Sequence, residues 1–353
     1  MNKHSKFFKV TLLTFILVIS PIIVLANSTA AVLFLLIEPG SAPGAMGQAY
    51  VAAADDGFAQ FWNPGAMAFN RKQQAALMHV NWFGDIFDDM YYEYLGYNQY
   101  YPELYGNVGY HVTFLTLGTQ DRLNEQGEHI GVFSSFDVAA GASYGYQYSD
   151  NLGLGMNFKI IYSQLAPEET GFTGGKGSGL SYAFDIAMLR KNLFLNGLSW
   201  GINLQNIGPN VTYINNTQSD PMPMNFRMGF SYRAFENALN KVTVNADMNK
   251  LLANNDFIFK RLITAWYDDG GFMSKIERES TIFGVGAEYE YLKLIALRAG
   301  YMYDKGGHIM GPSFGFGLQY TFSNRWHTFF DFAMQPAGEL TDYNKTFSLG
   351  IEF

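Results

Sequence analysis

Two serines stand in the glycine-flanked string of a nucleophile elbow. They are Ser143 in Gly141-Ala142-Ser143-Tyr144-Gly145 and Ser313 in Gly311-Pro312-Ser313-Phe314-Gly315. Nucleophilic chemistry from that string needs a sharp strand-to-helix turn. Ser143 instead lies inside an alternating apolar and polar run, and Ser313 opens another. With 37 glycines in the chain, such strings arise by chance. The stretch from Gly171 to Lys176 is one residue short of a phosphate-cradling loop, and no helical pattern follows it. Gly284-x-Gly286 and Gly315-x-Gly317 belong to strand patterns, so they form no nucleotide fingerprint. His79, His111, His129, His308 and His327 are scattered without metal-ligand spacing. His79, His111 and His327 can meet only through the fold. Asp55-Asp56 and Asp88-Asp89 are acidic pairs without the spacing of a calcium loop. The residues predict no catalytic centre, no metal and no cofactor.

The elements that hold these residues are strands. The last, Asn344–Phe353, places Phe347, Leu349, Ile351 and Phe353 on one face and Ser348, Gly350 and Glu352 on the other. A soluble protein rarely leaves such an apolar edge open, whereas a barrel in lipid closes it against its first strand. About fourteen segments of this kind follow one another from Gln73, mostly near the ~10 residues that a tilted membrane strand requires. They begin Gln73–Phe83, Asp89–Asn98, Gly106–Thr119, Phe133–Tyr148 and Asn151–Leu165. Asp137, Lys159, Asp185, Arg227, Asp247, Glu288 and Arg298 fall on the face opposite the aromatics.

Connections alternate roughly in length, with a short first odd loop and a longer Ala234–Leu239 as exceptions. Ser149-Asp150, Tyr291-Leu292 and Ser323-Asn324 are tight, while Gln120–Val132, Ala166–Ser178, Gly208–Pro221 and Leu251–Ser280 are long. In an outer-membrane barrel the short turns are periplasmic and the long loops face outward. Composition agrees: charged residues are only 15%, aromatics 17%, and cysteine is absent. A formal charge of -8 argues against nucleic acid as a partner. The predicted fold is all-β, a transmembrane antiparallel barrel of about fourteen strands.

Lys3, Lys6 and Lys9 precede an apolar run and then Val24-Leu25-Ala26, the order of a secretory leader cut after Ala26. Residues 1–26 are thus expected to be a signal peptide, 27–72 a plug or periplasmic segment, and 73–353 the barrel. The middle segment carries Phe34-Leu35-Leu36-Ile37, then Gly44-x-Met46-Gly47-x-Ala49-Tyr50, Asp55-Asp56 and Trp62-Asn63-Pro64-Gly65. Gly44 and Gly47 suit close backbone approach, and Asn63-Pro64-Gly65 is turn chemistry. On these residues the chain resembles the PorV/PorQ family of type IX secretion and, more distantly, the FadL-type transporters of hydrophobic compounds. Pro43 and Gly65 depart from the PorV pattern.

The resemblance implies an outer-membrane barrel with this segment at the periplasmic mouth or in the lumen. It implies a non-enzymatic carrier in the outer membrane of a Gram-negative bacterium. Such a carrier receives exported proteins from the translocon by their sorting domains and passes them to surface attachment machinery. Leu251–Ser280 is aromatic for a loop, and Phe257, Phe259, Trp266, Tyr267 and Phe272 are candidate contacts for such cargo. The residues leave open whether this loop folds inward as a constriction or outward as a docking surface. A FadL-like channel for fatty acids or other hydrophobic molecules is the alternative, and it predicts an apolar outer pocket and a lateral opening or kinked strand. A soluble exported β-protein is the third reading.

Overall fold

The computed structural model describes residues 30–353 apart from 83, 85, 125, 167–176, 214–218, 255, 269–270, 275–278, 323–324 and 340. The leader and the Gly171–Lys176 string lie outside the described residues, as do parts of two long loops. Fourteen antiparallel strands close into one barrel. They are β1 (Gln74–Asn81), β2 (Met90–Tyr101), β3 (Gly106–Leu123), β4 (His129–Ser149), β5 (Leu152–Gln164), β6 (Ser178–Arg190) and β7 (Leu198–Ile207), then β8 (Asn225–Glu236), β9 (Asn240–Leu251), β10 (Thr281–Tyr291), β11 (Ile295–Asp304), β12 (Ile309–Phe322), β13 (Trp326–Pro336) and β14 (Tyr343–Glu352). Every segment expected to be a strand is one.

Closure joins β1 to β14 from Gln74↔Glu352 to His79↔Phe347. Gln73 and Phe353 then exchange backbone hydrogen bonds of 3.0 and 2.9 Å. The apolar carboxyl-terminal strand is therefore paired on both sides, and the barrel has no free edge. Alternation sets the faces. Along β5, Asn157, Lys159 and Ser163 are buried inward, while Leu154, Met156, Phe158 and Ile160 point out. Around the barrel, Leu95, Ile160, Ile186, Leu297 and Leu349 are 53, 52, 61, 54 and 52% exposed. An apolar band on the outside and polar groups inside inverts the order of a soluble sandwich and fits a bilayer. No described helix is long and apolar enough to cross a membrane.

One predicted loop is corrected. Residues 120–132 are mostly strand, because the β3–β4 ladder runs on to Leu123↔His129 and closes with a short turn. His129 and Asp121 pair at 3.2 Å on this extension, which also exposes Leu123, Ile130 and Val132. The ladder also carries a bulge. Leu117 and Gly118 together face one residue of β4, Gly118 takes φ +73°, and Asp89 accepts a 2.7 Å bond from the Thr119 amide. β3 stays paired with β2 as far as Met90↔Leu117 and rejoins β4 at Thr119↔Ser134.

Residues 31–72 lie inside the barrel. They carry two short helices, α1 (Ser41–Ala45) and α2 (Ala59–Trp62), and two single 3₁₀ turns, Leu33–Leu36 and Ala66–Phe69. The main core is built between this segment and the inward faces of the strands. Phe34, Met46, Phe58, Trp62, Tyr92, Tyr94 and Met222 are among its buried members.

Candidate functional site

The plug follows the inner wall from strand to strand. Its start lies toward the long-loop end, where the Ala31 amide donates to the Pro221 carbonyl and the Tyr92 hydroxyl donates to the Ile37 carbonyl. Glu38 then forms a buried ion pair with Arg227 of β8. The same guanidinium sits 4.5 Å from the centre of the Trp62 ring, whose Nε1 donates to the Pro39 carbonyl at 2.7 Å. Burial raises the Glu38 pKa, against the lowering influence of the Arg227 charge. An ion pair out of water holds only when both charges keep their partners.

Beyond Glu38 the plug meets β12 and β14 through hydroxyls. The Ser41 amide donates to Ser348 Oγ, the Gly47 amide donates to Ser313 Oγ, and Ser313 Oγ donates to the Ala45 carbonyl, at 2.8, 2.9 and 2.9 Å. Ser313 is thus a plug anchor. Ser143 donates to Asn157 Oδ1 inside the wall, so neither elbow-like serine has a nucleophile's setting. Asp247 Oδ2 accepts from the amides of Tyr50 and Val51, both at 2.8 Å. Farther round, Asn63 Nδ2 donates to the carbonyls of Val51 and Met188, and Asn203 Nδ2 donates to those of Phe61 and Trp62.

The fit depends on bare backbone. A Cβ on Gly284, Gly286 or Gly300 would strike the Met46–Gly47 backbone, and one on Gly155 would strike Pro64-Gly65. Gly47 itself takes φ +64°, which favours glycine. The plug residues marked in the sequence therefore come together: Gly44, Met46, Gly47, Ala49 and Tyr50 on one arc, Trp62, Asn63, Pro64 and Gly65 on the other. Glu38, Arg227, Asp247 and Asn203 are anchors that no local motif marked. Arg227 and Asp247 carried a partial signal as polar residues on inward faces.

Between the plug and the short-turn end lies a vestibule of about 740 Å³, lined in part by Asp55, Asp56, Lys191, Lys241, Glu288 and Arg298. The Tyr50 hydroxyl donates to Asp56 at 3.1 Å and to Asp55 at 3.4 Å. Enclosure raises the Asp56 carboxyl to about 7, helped by the neighbouring charge of Asp55. Toward the opposite end the described residues form part of the apolar core. There Lys159 bonds Asp185 at 2.9 Å, and Phe34, Leu35, Trp82 and Leu115 pack together with the start of the plug. His79 pairs with Glu93, His111 stacks on Tyr94, and His327 lines the vestibule, so these three do not converge. Among the described residues no cluster of three metal-ligating side chains forms.

The loop between β9 and β10 folds outward. It contains α3 (Ile258–Thr264) and a two-residue hairpin pairing Tyr267–Asp268 with Gly271–Phe272. Ala265 is buried, and Ile258 and Trp266 pack beside it on Leu204, Ile207 and Phe226. Leu204 and Phe226 alternate with the inward Asn203, Gln205 and Arg227, so they belong to the outer face. Trp266 meets Phe226 edge-on at 5.9 Å. Phe257, Phe259, Tyr267 and Phe272 remain 72, 65, 51 and 63% exposed.

No curated protein sequence matches this chain. Among solved structures, the toluene transporter TbuX of Ralstonia pickettii is similar, with a TM-score of 0.53 at 13% identity over 89% of this chain and 97% of that one. The toluene transporter TodX of Pseudomonas putida is similar with a TM-score of 0.51 at 13% identity over 89% and 96%. At this identity the likeness shows a shared barrel fold and nothing more. The family model for type IX secretion system protein PorV matches residues 25–256, the plug and the barrel as far as the loop after β9. With more than half of its 353 residues so matched, the chain belongs to the PorV family of type IX secretion and is a barrel of the outer membrane.

Proposed function

We propose that this barrel is a membrane-held carrier in type IX secretion. It receives exported proteins by their sorting domains on its outward surface and passes them to surface attachment machinery. Family membership supports the pathway. The anchored plug supports the mode of action, since a plug tied by hydrogen bonds to strands from β6 round to β14 leaves the rim as the working surface. The contacts fall to the loops after β5, β7 and β9, with Tyr267 and Phe272 as exposed aromatics of the last. Such a pair, with ring centres 5.1 Å apart, offers area at low entropic cost, as docking hot spots do. Trp266 is already committed to the barrel wall.

A hydrophobic channel is the second reading, favoured by the likeness in fold. It needs an apolar outer pocket, and Phe34 and Leu35 are buried toward that end among the described residues. It also calls for a lateral opening or a kinked strand; β3 is bulged at Leu117-Gly118, where it is paired with β2 up to Leu117 and with β4 again from Thr119. Affinity capture of the tagged barrel from cells with an intact type IX system tests the carrier reading. Recovery of proteins carrying sorting domains is expected, reduced severalfold by Tyr267→Ala with Phe272→Ala. Recovery unchanged by this pair removes the loop from the proposal. A barrel that brings down a fatty acid and no cargo favours the channel.

A further inference from the structure

The helix α3 presents apolar side chains on both sides. One side covers Leu204 and Phe226 on the barrel exterior; the other holds Phe259 and Ile263, each 65% exposed, with Phe257 just before it. A soluble loop would turn charge outward here. Of the two helix charges, Arg261 is buried with Nη2 donating to Asn210 Oδ1, and Lys260 is exposed but paired with Asp256 at 2.7 Å.

The neighbouring wall explains the need. The outward row of β6 carries Leu180, Tyr182, Phe184 and Ile186, all exposed. Its partner β7 ends at Ile207, opposite Phe184. Leu180 therefore stands four residues farther toward the loop end, about 13 Å along the strand at ~3.3 Å per residue. On β8 the wall begins only at Asn225, opposite Gln205. The strand wall thus steps down at β7 and β8 on the side where the membrane needs an unbroken apolar belt. The helix lies on that step.

We infer that α3 is an interfacial helix seated in the outer leaflet. Phe257, Phe259 and Ile263 contact lipid acyl chains and continue the apolar band of β6 over the low wall of β7 and β8. The occupant of this face is lipid because the helix packs on the lipid-facing surface itself, and Phe259 and Ile263 extend that surface, while the exposed Lys260, paired with Asp256, suits the headgroup level of an interfacial helix. The inference rests on the barrel spanning a membrane. It leaves Tyr267 and Phe272, on the hairpin, for cargo.

The chain has no cysteine, so single introduced cysteines take a nitroxide label uniquely. Phe259→Cys and Ile263→Cys are compared in phosphatidylcholine vesicles with Val285→Cys on the outer wall and Gln126→Cys at the tip of the β3–β4 hairpin. Collision rates with oxygen report lipid, and those with a water-soluble nickel chelate report solvent. The helix labels should match Val285→Cys, with an oxygen-to-nickel ratio severalfold above Gln126→Cys. A ratio like that of Gln126→Cys overturns the inference, as does shielding from both reagents, which marks cover by protein. Should Val285→Cys also read as solvent-exposed, the membrane reading fails as well. If the cysteine variants do not fold, Phe259→Trp in vesicles with acyl-brominated phosphatidylcholine serves. Added quenching over the native protein is expected, and its absence overturns the inference.

Discussion

Arg227 touches Glu38 and the Trp62 ring at once, so its loss would strand a buried carboxylate and uncover the indole. Arg227→Ala should destabilise the folded protein by about 3–5 kcal/mol, the scale for breaking a buried pair from one side. Replacing both partners, Glu38→Gln with Arg227→Met, should cost less than Arg227→Ala alone, because no lone charge remains. Urea titration in micelles measures both. Equal or larger loss in the double variant would remove the ion pair from the account of plug attachment. The two residues are 189 positions apart. Sequence marked Arg227 only as an inward polar residue, since alternation tells which face a side chain takes and not what crosses the lumen to meet it.

At the scale of elements, the plug and the wall fit through missing side chains. A Cβ at Gly284 strikes the Gly47 carbonyl, while one at Gly311 meets Pro336 at ordinary contact distance, 3.4 Å. Gly284→Val should therefore fold as a barrel with a displaced plug, and Gly311→Ala should behave as the native protein. Hydrogen exchange at the Tyr50 and Val51 amides reads the difference. Exchange faster by about tenfold or more, worth ~1.4 kcal/mol of local stability, is expected for Gly284→Val. Unchanged protection would mean that the plug does not bear on this strand. Strands were legible from Leu154, Met156, Phe158 and Ile160 alone, because lipid outside and polar groups inside impose a period of two. The helix Ile258–Thr264 was legible only as a part-helical loop, since an element with apolar groups on both sides has no single helical stripe to find. The extension of β3 and β4 was missed for the opposite reason. Its few apolar residues, Leu123, Ile130 and Val132, are set among Asp121, Arg122, Asn124, Glu128 and His129, too polar a setting for alternation to mark a strand.

For the whole molecule, Phe34–Gly65 carried the resemblance to the family, and the same residues run through the lumen. A shared sequence motif and a mechanical part coincide here because the plug must match the wall at many points. Glycine seams, hydroxyl anchors and the Asp247 clasp all constrain that one segment. What the motif did not contain is direction. The charged vestibule opens toward the short turns, while the long-loop end is packed, so the molecule is asymmetric across the membrane. The central claim is that this barrel works at its outer surface and not as a conduit. Conductance of the native protein in a planar bilayer tests it most directly. The account predicts no steady current from the native barrel; a stable, ohmic open channel in the unmodified protein would contradict it.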